Sequence, residues 1–245
     1  MQVDQYANCQ YIRKSQWTLQ SCSSASGKGN LMPQEPIHKR AVTFFDGQNL
    51  YHSAKRAFGH VYPNYDPVKL SKHICDEAGW RLYQVRFYTG VPDEADKPDW
   101  NHFWVAKGAQ MGRDGVKLFT RRLMYRNKTV YLPDGTKHSF LAGDEKGIDA
   151  RIAIDVIRGA HQQQFDVGII FSQDQDLSEA ADEVKAISIE QDRWIKLCCA
   201  FPISPAVPKA RGINNTEWIG IERADYDACL DPRDYRPKAD KADGP

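Results

Sequence analysis

Short apolar runs bounded by turn residues alternate along this chain with stretches whose apolar positions recur every three or four residues, the pattern of strands interleaved with helices. Residues 41–45 (Ala-Val-Thr-Phe-Phe) read as a buried first strand. Asp66-Pro67 then supplies an N-cap and a first-turn proline, Leu70, Ile74 and Ala78 form an i, i+4 stripe, and Gly79 stands where a helix stops. Residues 82–88 predict a second strand, Trp100, Phe103 and Trp104 a helix, and residues 116–125 a third strand rich in bases. Residues 129–140 read as a hairpin turning at Pro133-Asp134-Gly135. A helix over 146–160, a wholly apolar strand over 167–171 and another strand over 195–201 complete the pattern. This is the order of an α/β protein with a mostly parallel sheet wrapped by helices and one small hairpin inserted.

The 245 residues suffice for one domain with tails. Residues 1–38, with the Ser/Gly-rich stretch 21–30, read as a flexible N-terminal tail, 39–228 as the folded domain, and 229–245 as a C-terminal tail. Six cysteines show no zinc-type spacing and two are adjacent, which argues against a metal knuckle or a disulfide framework. With no secretory leader pattern and no apolar stretch approaching the ~20 residues that span a bilayer, a cytoplasmic chain without a membrane partner is expected.

Net charge is only +1, but its distribution is uneven. Residues 107–128 carry seven bases against one acid, whereas 134–192 carry thirteen acids against five bases. One basic and one acidic wall can hold a phosphate chain against bound cations.

In open α/β sheets, ligands bind beyond the carboxyl ends of the strands, so polar residues just after apolar strands are the candidates. Asp46 closes the first strand and Asn49 opens the next helix, while Ser172, Asp174 and Asp176 leave the strand over 167–171. On a 3.6-residue period, Asp149 extends the stripe Ile152, Ala153, Val156, Ile157 and Ala160, so it points inward. Asp155 falls off that stripe, with Arg151 and Arg158 placed to pair with it on the solvent side. Each residue also has a plain structural use: Asp46 and Asn49 in a turn or cap, Asp174 or Asp176 as an N-cap, Asp149 in a first helical turn. Several inward carboxylates without a lysine or arginine on their stripe demand a cation, and hard oxygen ligands suit Mg²⁺ or Mn²⁺.

These motifs, Asp46-x-x-Asn49, Lys146-Gly-Ile-Asp149 with Asp155 six residues on, and Ser172-x-Asp174-x-Asp176, resemble the NYN domain, a branch of the PIN-like metal-dependent nucleases related to the bacterial LabA-like proteins. The resemblance covers residues 39–228. It implies a three-layer α/β/α sandwich, a Mg²⁺ or Mn²⁺ site built from Asp46, Asp149, Asp174 and Asp176, and endonucleolytic hydrolysis of RNA, single-stranded or structured. Asn49 and Ser172 would hold the loops or contact the metal shell or phosphate. Lys146, Arg121, Arg122 and Arg126 would support the substrate, although strand alternation sends Arg121 and Arg122 to opposite faces. Two departures stand out: Gln173 occupies a position usually held by glycine, which would narrow the approach to Asp174, and the hairpin is an elaboration. PIN-like proteins often pair, so a homodimer is an open state. Tyr51, Tyr62 and Tyr65 are candidates to stack on unpaired bases.

Haloacid dehalogenase chemistry would want an acid where Gln48 stands, and dinucleotide binding would want a GxGxxG motif, which is absent. The remaining rival is a non-catalytic RNA-binding or protein-interaction module on the same fold, with its acidic cluster incomplete or blocked.

Overall fold

The computed structural model describes residues 33–144 and 146–237. Six parallel strands form the central sheet: β1 (Arg40–Asp46), β2 (Arg81–Val91), β3 (Lys117–Arg122), β6 (Val167–Phe171), β7 (Lys196–Pro202) and β8 (Glu217–Ile221). Their order is β3-β2-β1-β6-β7-β8. The chain therefore winds outward from β1 through β2 and β3, then returns to the other side of β1 and winds away again. Such a reversal leaves a crevice between the two central strands, here β1 and β6, at their carboxyl ends.

Helices cover both faces, making three layers. One core cluster packs α1 (Gly47–Phe58), α2 (Pro67–Ala78), α3 (Pro98–Arg113) and α6 (Arg223–Ala228) on one side of the sheet. The other packs α4 (Ile148–His161) and α5 (Ser178–Glu190) on the opposite side. Alternation along β1 explains the division: Phe45 enters the first cluster, and Val42 and Phe44 enter the second. Phe45 is the keystone of its side, stacked on Phe171 at 3.9 Å and flanked by Phe87 at 5.9 Å and Tyr65 at 6.0 Å.

The expected helix α2 has both of its predicted ends: Asp66 accepts from the N–H groups of Val68 and Lys69, and Gly79 takes a left-handed conformation at φ 69°. The third strand is shorter than its sequence pattern. Val91 pairs with Arg122, Leu123 donates one last bond to the Val91 carbonyl, and the pairing ends there. What continues is β4 (Met124–Tyr131), paired antiparallel with β5 (Lys137–Asp144) in a separate two-stranded sheet, which is the expected hairpin in lengthened form. β8 and α6 were not evident from apolar periodicity, because residues 217–221 alternate over too few positions.

Part of the stretch expected to be a C-terminal tail lies on the domain: Leu230 bridges to Tyr65, and Tyr235 packs edge-on against Phe103. Residues 1–32 and 238–245 of the expected tails, with Cys9 and Cys22, lie outside the described residues. The four described cysteines, Cys75, Cys198, Cys199 and Cys229, are buried and unbridged. No helix of the described residues is long and apolar enough to cross a membrane.

Phe45→Ala would leave a cavity at the centre of the aromatic stack and should cost roughly 3–5 kcal/mol. Thermal unfolding of the variant in EDTA checks this, and a midpoint within a degree of wild type would show that the stack bears no weight.

Candidate metal centre

Asp46 lies at the crevice between β1 and β6, only 4% exposed. It serves as the N-cap of α1: Oδ1 accepts the Asn49 N–H at 3.0 Å. Its Oδ2 accepts from the Ser172 hydroxyl at 3.2 Å. The cap reading and the candidate-ligand reading thus fall on one side chain, using different lone pairs.

The loop after β6 is tied to the start of α1. Asn49 Oδ1 accepts the Gln173 N–H at 3.0 Å, and Ser172 Oγ accepts the Asp174 N–H at 3.1 Å. Cys199 Sγ lies 2.9 Å from the Ser172 carbonyl oxygen, to which it donates, and accepts the Ile213 N–H at 3.3 Å. Gln173 does not narrow the approach to Asp174 as its size suggested. Its Oε1 accepts from Ser53 and its Nε2 donates to the Arg211 carbonyl, so the side chain is a strut between α1 and the 202–216 loop. Asp174 caps a short 3-10 turn, Gln175–Leu177, accepting the Asp176 N–H at 3.0 Å. Asp174 is half-buried and Asp176 exposed.

Asp149 enters from the first turn of α4, half-buried at the rim. The buried stripe of that helix keeps Ile152, Val156 and Ala160 of the expected one but is rotated toward Ile148, Asp155 and Gly159. Asp155 is therefore not on the solvent side. It is 7% exposed and accepts from the Tyr88 hydroxyl and from Arg151 Nε, both at 2.9 Å. A phenol on β2 is what makes burial tolerable there, and no spacing within α4 reveals it.

Of the bases, Arg121 and Arg122 do diverge. Arg122 pairs with Asp93. Arg121 lies at the opening of α4, where a Cβ on Gly147 would stand 2.9 Å from its Nη1, and Gly147 itself has φ 74°. The left-handed backbone therefore favours glycine two residues before Asp149, while the Arg121 head group, at the end of a flexible side chain, could shift to admit a Cβ. Lys146 is exposed beside it. Arg126 belongs to β4, and its side chain lies outside the described residues. Lys107 adds nothing to a basic wall: it is fully buried and donates to the Tyr65 carbonyl.

The four aspartates form one electrostatic group. Burial, then Asp149 and Asp174, push the Asp46 carboxyl from its ordinary 3.8 up to about 7, against lowering by the Asn49 and Ser172 bonds. Burial, then Asp174 and Asp176, raise Asp149. No lysine or arginine is among the groups that set either value. A divalent cation held by oxygen ligands fits this donor set, since it alone supplies the missing positive charge. Among the described residues, the group of three whose ligand atoms all lie within 4.8 Å of one another is a different one, His73, Glu77 and Asp225, where α2 meets α6. The aspartates are thus more widely spaced, an arrangement suited to an ion that keeps part of its water shell.

A carboxyl raised by folding holds its proton after the unfolded chain has lost one, so metal-free protein should lose stability through Asp46 as pH climbs from about 4 to about 7, by ~4 kcal/mol at most. Asp46→Asn, whose carboxamide oxygen can still accept the Asn49 N–H while its NH2 donates to the Ser172 hydroxyl in a reversed bond, should be more stable than wild type in EDTA at pH 8 by roughly 1–3 kcal/mol. Denaturant titrations at pH 4 and pH 8 read this out; the gain must shrink at the lower pH.

Comparison with known proteins bears on this geometry. The family model of the NYN domain matches residues 40–190, from β1 through α5. No curated protein matches the chain. Among solved structures, it is similar to a Vibrio parahaemolyticus protein of unknown function at 18% identity and TM-score 0.46, covering 79% of this chain and 98% of that one. It also aligns with Acinetobacter baumannii MurG at 10% identity and TM-score 0.30, over 74% of this chain and 45% of that one. Both likenesses are too distant to carry an argument. The family match spans more than half of the chain and both strands of the crevice, and the sheet is the PIN-like sandwich of that family: the chain belongs to the NYN domain family.

Proposed function

We propose that the protein is a metal-dependent endoribonuclease. The observation that carries this reading is Asp46, a buried carboxyl surrounded by further carboxylates and by no cation, at the crevice where doubly wound sheets bind ligands. Family membership supports a nuclease-like domain acting on nucleic acid; RNA as substrate, hydrolysis as the reaction and Mg²⁺ or Mn²⁺ as the ion are our reading.

Asp46, Asp149 and Asp174 would hold the ion, with Asp176 as a further ligand or as the base that orients water. When bound, Mg²⁺ or Mn²⁺ polarises a water for in-line attack on phosphorus and stabilises the leaving oxygen. Asn49 and Ser172 fix the two loops so that the carboxylates are positioned before substrate arrives. Arg121 and Lys146, at the opening of α4, would meet substrate phosphates, while Arg122 is committed to Asp93.

The test is cleavage of a labelled single-stranded RNA and a DNA of matching sequence in Mg²⁺, Mn²⁺ or EDTA. RNA cutting that requires the ion and falls on the order of 1,000-fold in both Asp149→Asn and Asp174→Asn is expected, the size of several kcal/mol of lost transition-state stabilisation. Folded protein that binds RNA but never cuts it would make this a binding module instead. Independently, Mn²⁺ at about 100 times its Kd should stabilise wild type by ~2.7 kcal/mol and leave Asp46→Asn unmoved.

A further inference from the structure

A groove between α1 and α3 opens on the same rim of the sheet as the aspartates. Gln48, two residues after Asp46, lines it, as do Pro92 and Leu123, just past the ends of β2 and β3. Its volume is about 590 Å³, within the usual range for small-molecule sites and ample for one nucleotide. Its charged walls are Lys55 and Lys97, with His52 beside them, and among the described residues no acid lines it. The neighbouring Asp93 is held by Arg122.

Its aromatic wall is preset. Trp100 is partly buried, with its ring stacked on Tyr62 at 5.1 Å and 28° and backed edge-on by Phe103 at 5.6 Å. Tyr51 lies at 5.9 Å, and its hydroxyl is spent on the Val61 carbonyl. The hydrogen bond of Tyr51 and the burial of Tyr65 give those tyrosines packing roles, and among the tyrosine and tryptophan rings that line the groove Trp100 is the most exposed. A ring held from behind loses little freedom when a base stacks on it.

We infer that this groove is a nucleotide subsite, in which an unpaired RNA base stacks on Trp100 while Lys55 and Lys97 meet the flanking phosphates. The inference rests on the ribonuclease reading for its direction and deepens it, because a base can enter the groove only when it is not paired. The substrate is therefore single-stranded at the subsite. On the other flank of α1, a second cavity of about 400 Å³ is lined by Arg56, Lys209 and Arg211, again without an acid or an aromatic ring. A strand lying across the start of α1 would thus pass from a site that grips a base to one that grips only phosphate. Charge decides against an apolar peptide as occupant: two lysines around an aromatic ring complement a polyanion with flat bases.

The experiment is fluorescence anisotropy of a fluorescein-labelled ten-nucleotide RNA, single-stranded or annealed to its complement, titrated with the full chain in EDTA so that no cleavage intervenes. Wild type should prefer the single strand. Trp100→Ala should weaken it roughly 5- to 100-fold, the range for losing one stacked base, with Trp100→Phe recovering most of the loss and duplex binding unchanged. The exposed pair Lys55→Ala/Lys97→Ala should flatten the salt dependence by about 1.4 in log–log slope, two phosphate contacts at ~0.7 each. Binding of single strand and duplex with equal affinity, or variants that stay folded by circular dichroism and bind as wild type does, would overturn the inference. If metal-dependent cutting were meanwhile intact, the ribonuclease reading would survive and the subsite alone would fall. Conversely, the expected losses of single-strand binding in a protein that never cuts RNA would keep the subsite and sink the ribonuclease reading.

Discussion

Asp46 carries two opposed demands. Its place at the end of a strand buried on both faces strips it of water, and its neighbours Asp149 and Asp174 add negative potential rather than relief. Two neutral donors, the Asn49 N–H and the Ser172 hydroxyl, lower the cost without cancelling it. The fold therefore holds a carboxyl that is most comfortable protonated near neutrality, unless a cation arrives. Everything else around the crevice is arranged to keep that situation from relaxing.

The arrangement works through short side-chain ties to backbone. Asn49 reads the amide of Gln173, Ser172 reads that of Asp174, Asp174 reads that of Asp176, and Cys199 fixes the carbonyl of Ser172 from the next strand. Each bond is worth only about 1 kcal/mol net, yet each also removes a direction in which the carboxylates could drift apart. Gln173 extends the same lattice to Ser53 and Arg211, so the loop before β8 is braced against α1 through a residue adjacent to the candidate ligands. Burial on both faces of β6 makes the platform stiff; the ties transmit that stiffness to the polar residues beyond it.

How much of this the sequence disclosed depends on whether the cause was local. The caps of α2, the apolar strands and the three acidic motifs could be read because each is written in a few consecutive residues. The electrostatic joining of Asp46 with Asp149, far apart along the chain, was legible from the inward stripe of α4 and the family resemblance rather than from any local run of residues. Asp155 was misread because its burial is licensed by Tyr88, which lies on another element. Gln173 looked obstructive because its partners, Ser53 and Arg211, are distant in sequence. Lys107 counted as a surface base until the Tyr65 carbonyl claimed it. Trp100 marked a helix in the sequence, and its partly buried place on the wall of the α1–α3 groove depends on Tyr51, Tyr62 and Phe103, of which only Phe103 lies on its own helix.

The ends of β2 and β3 show how a short stretch shapes several of these features together. Pairing between the two strands runs to Val91 and Arg122, with one last bond from the Leu123 N–H to the Val91 carbonyl. The chain after β3 then finds another partner by folding back on itself as β4 and β5. Where the pairing stops, Pro92 and Leu123 line the α1–α3 groove. Strand alternation sends neighbouring side chains to opposite faces, so Arg122 meets Asp93 just past β2, while Arg121 reaches Gly147 at the opening of α4. Hairpin, groove and the division of labour between the two arginines thus all begin where the β2–β3 ladder ends.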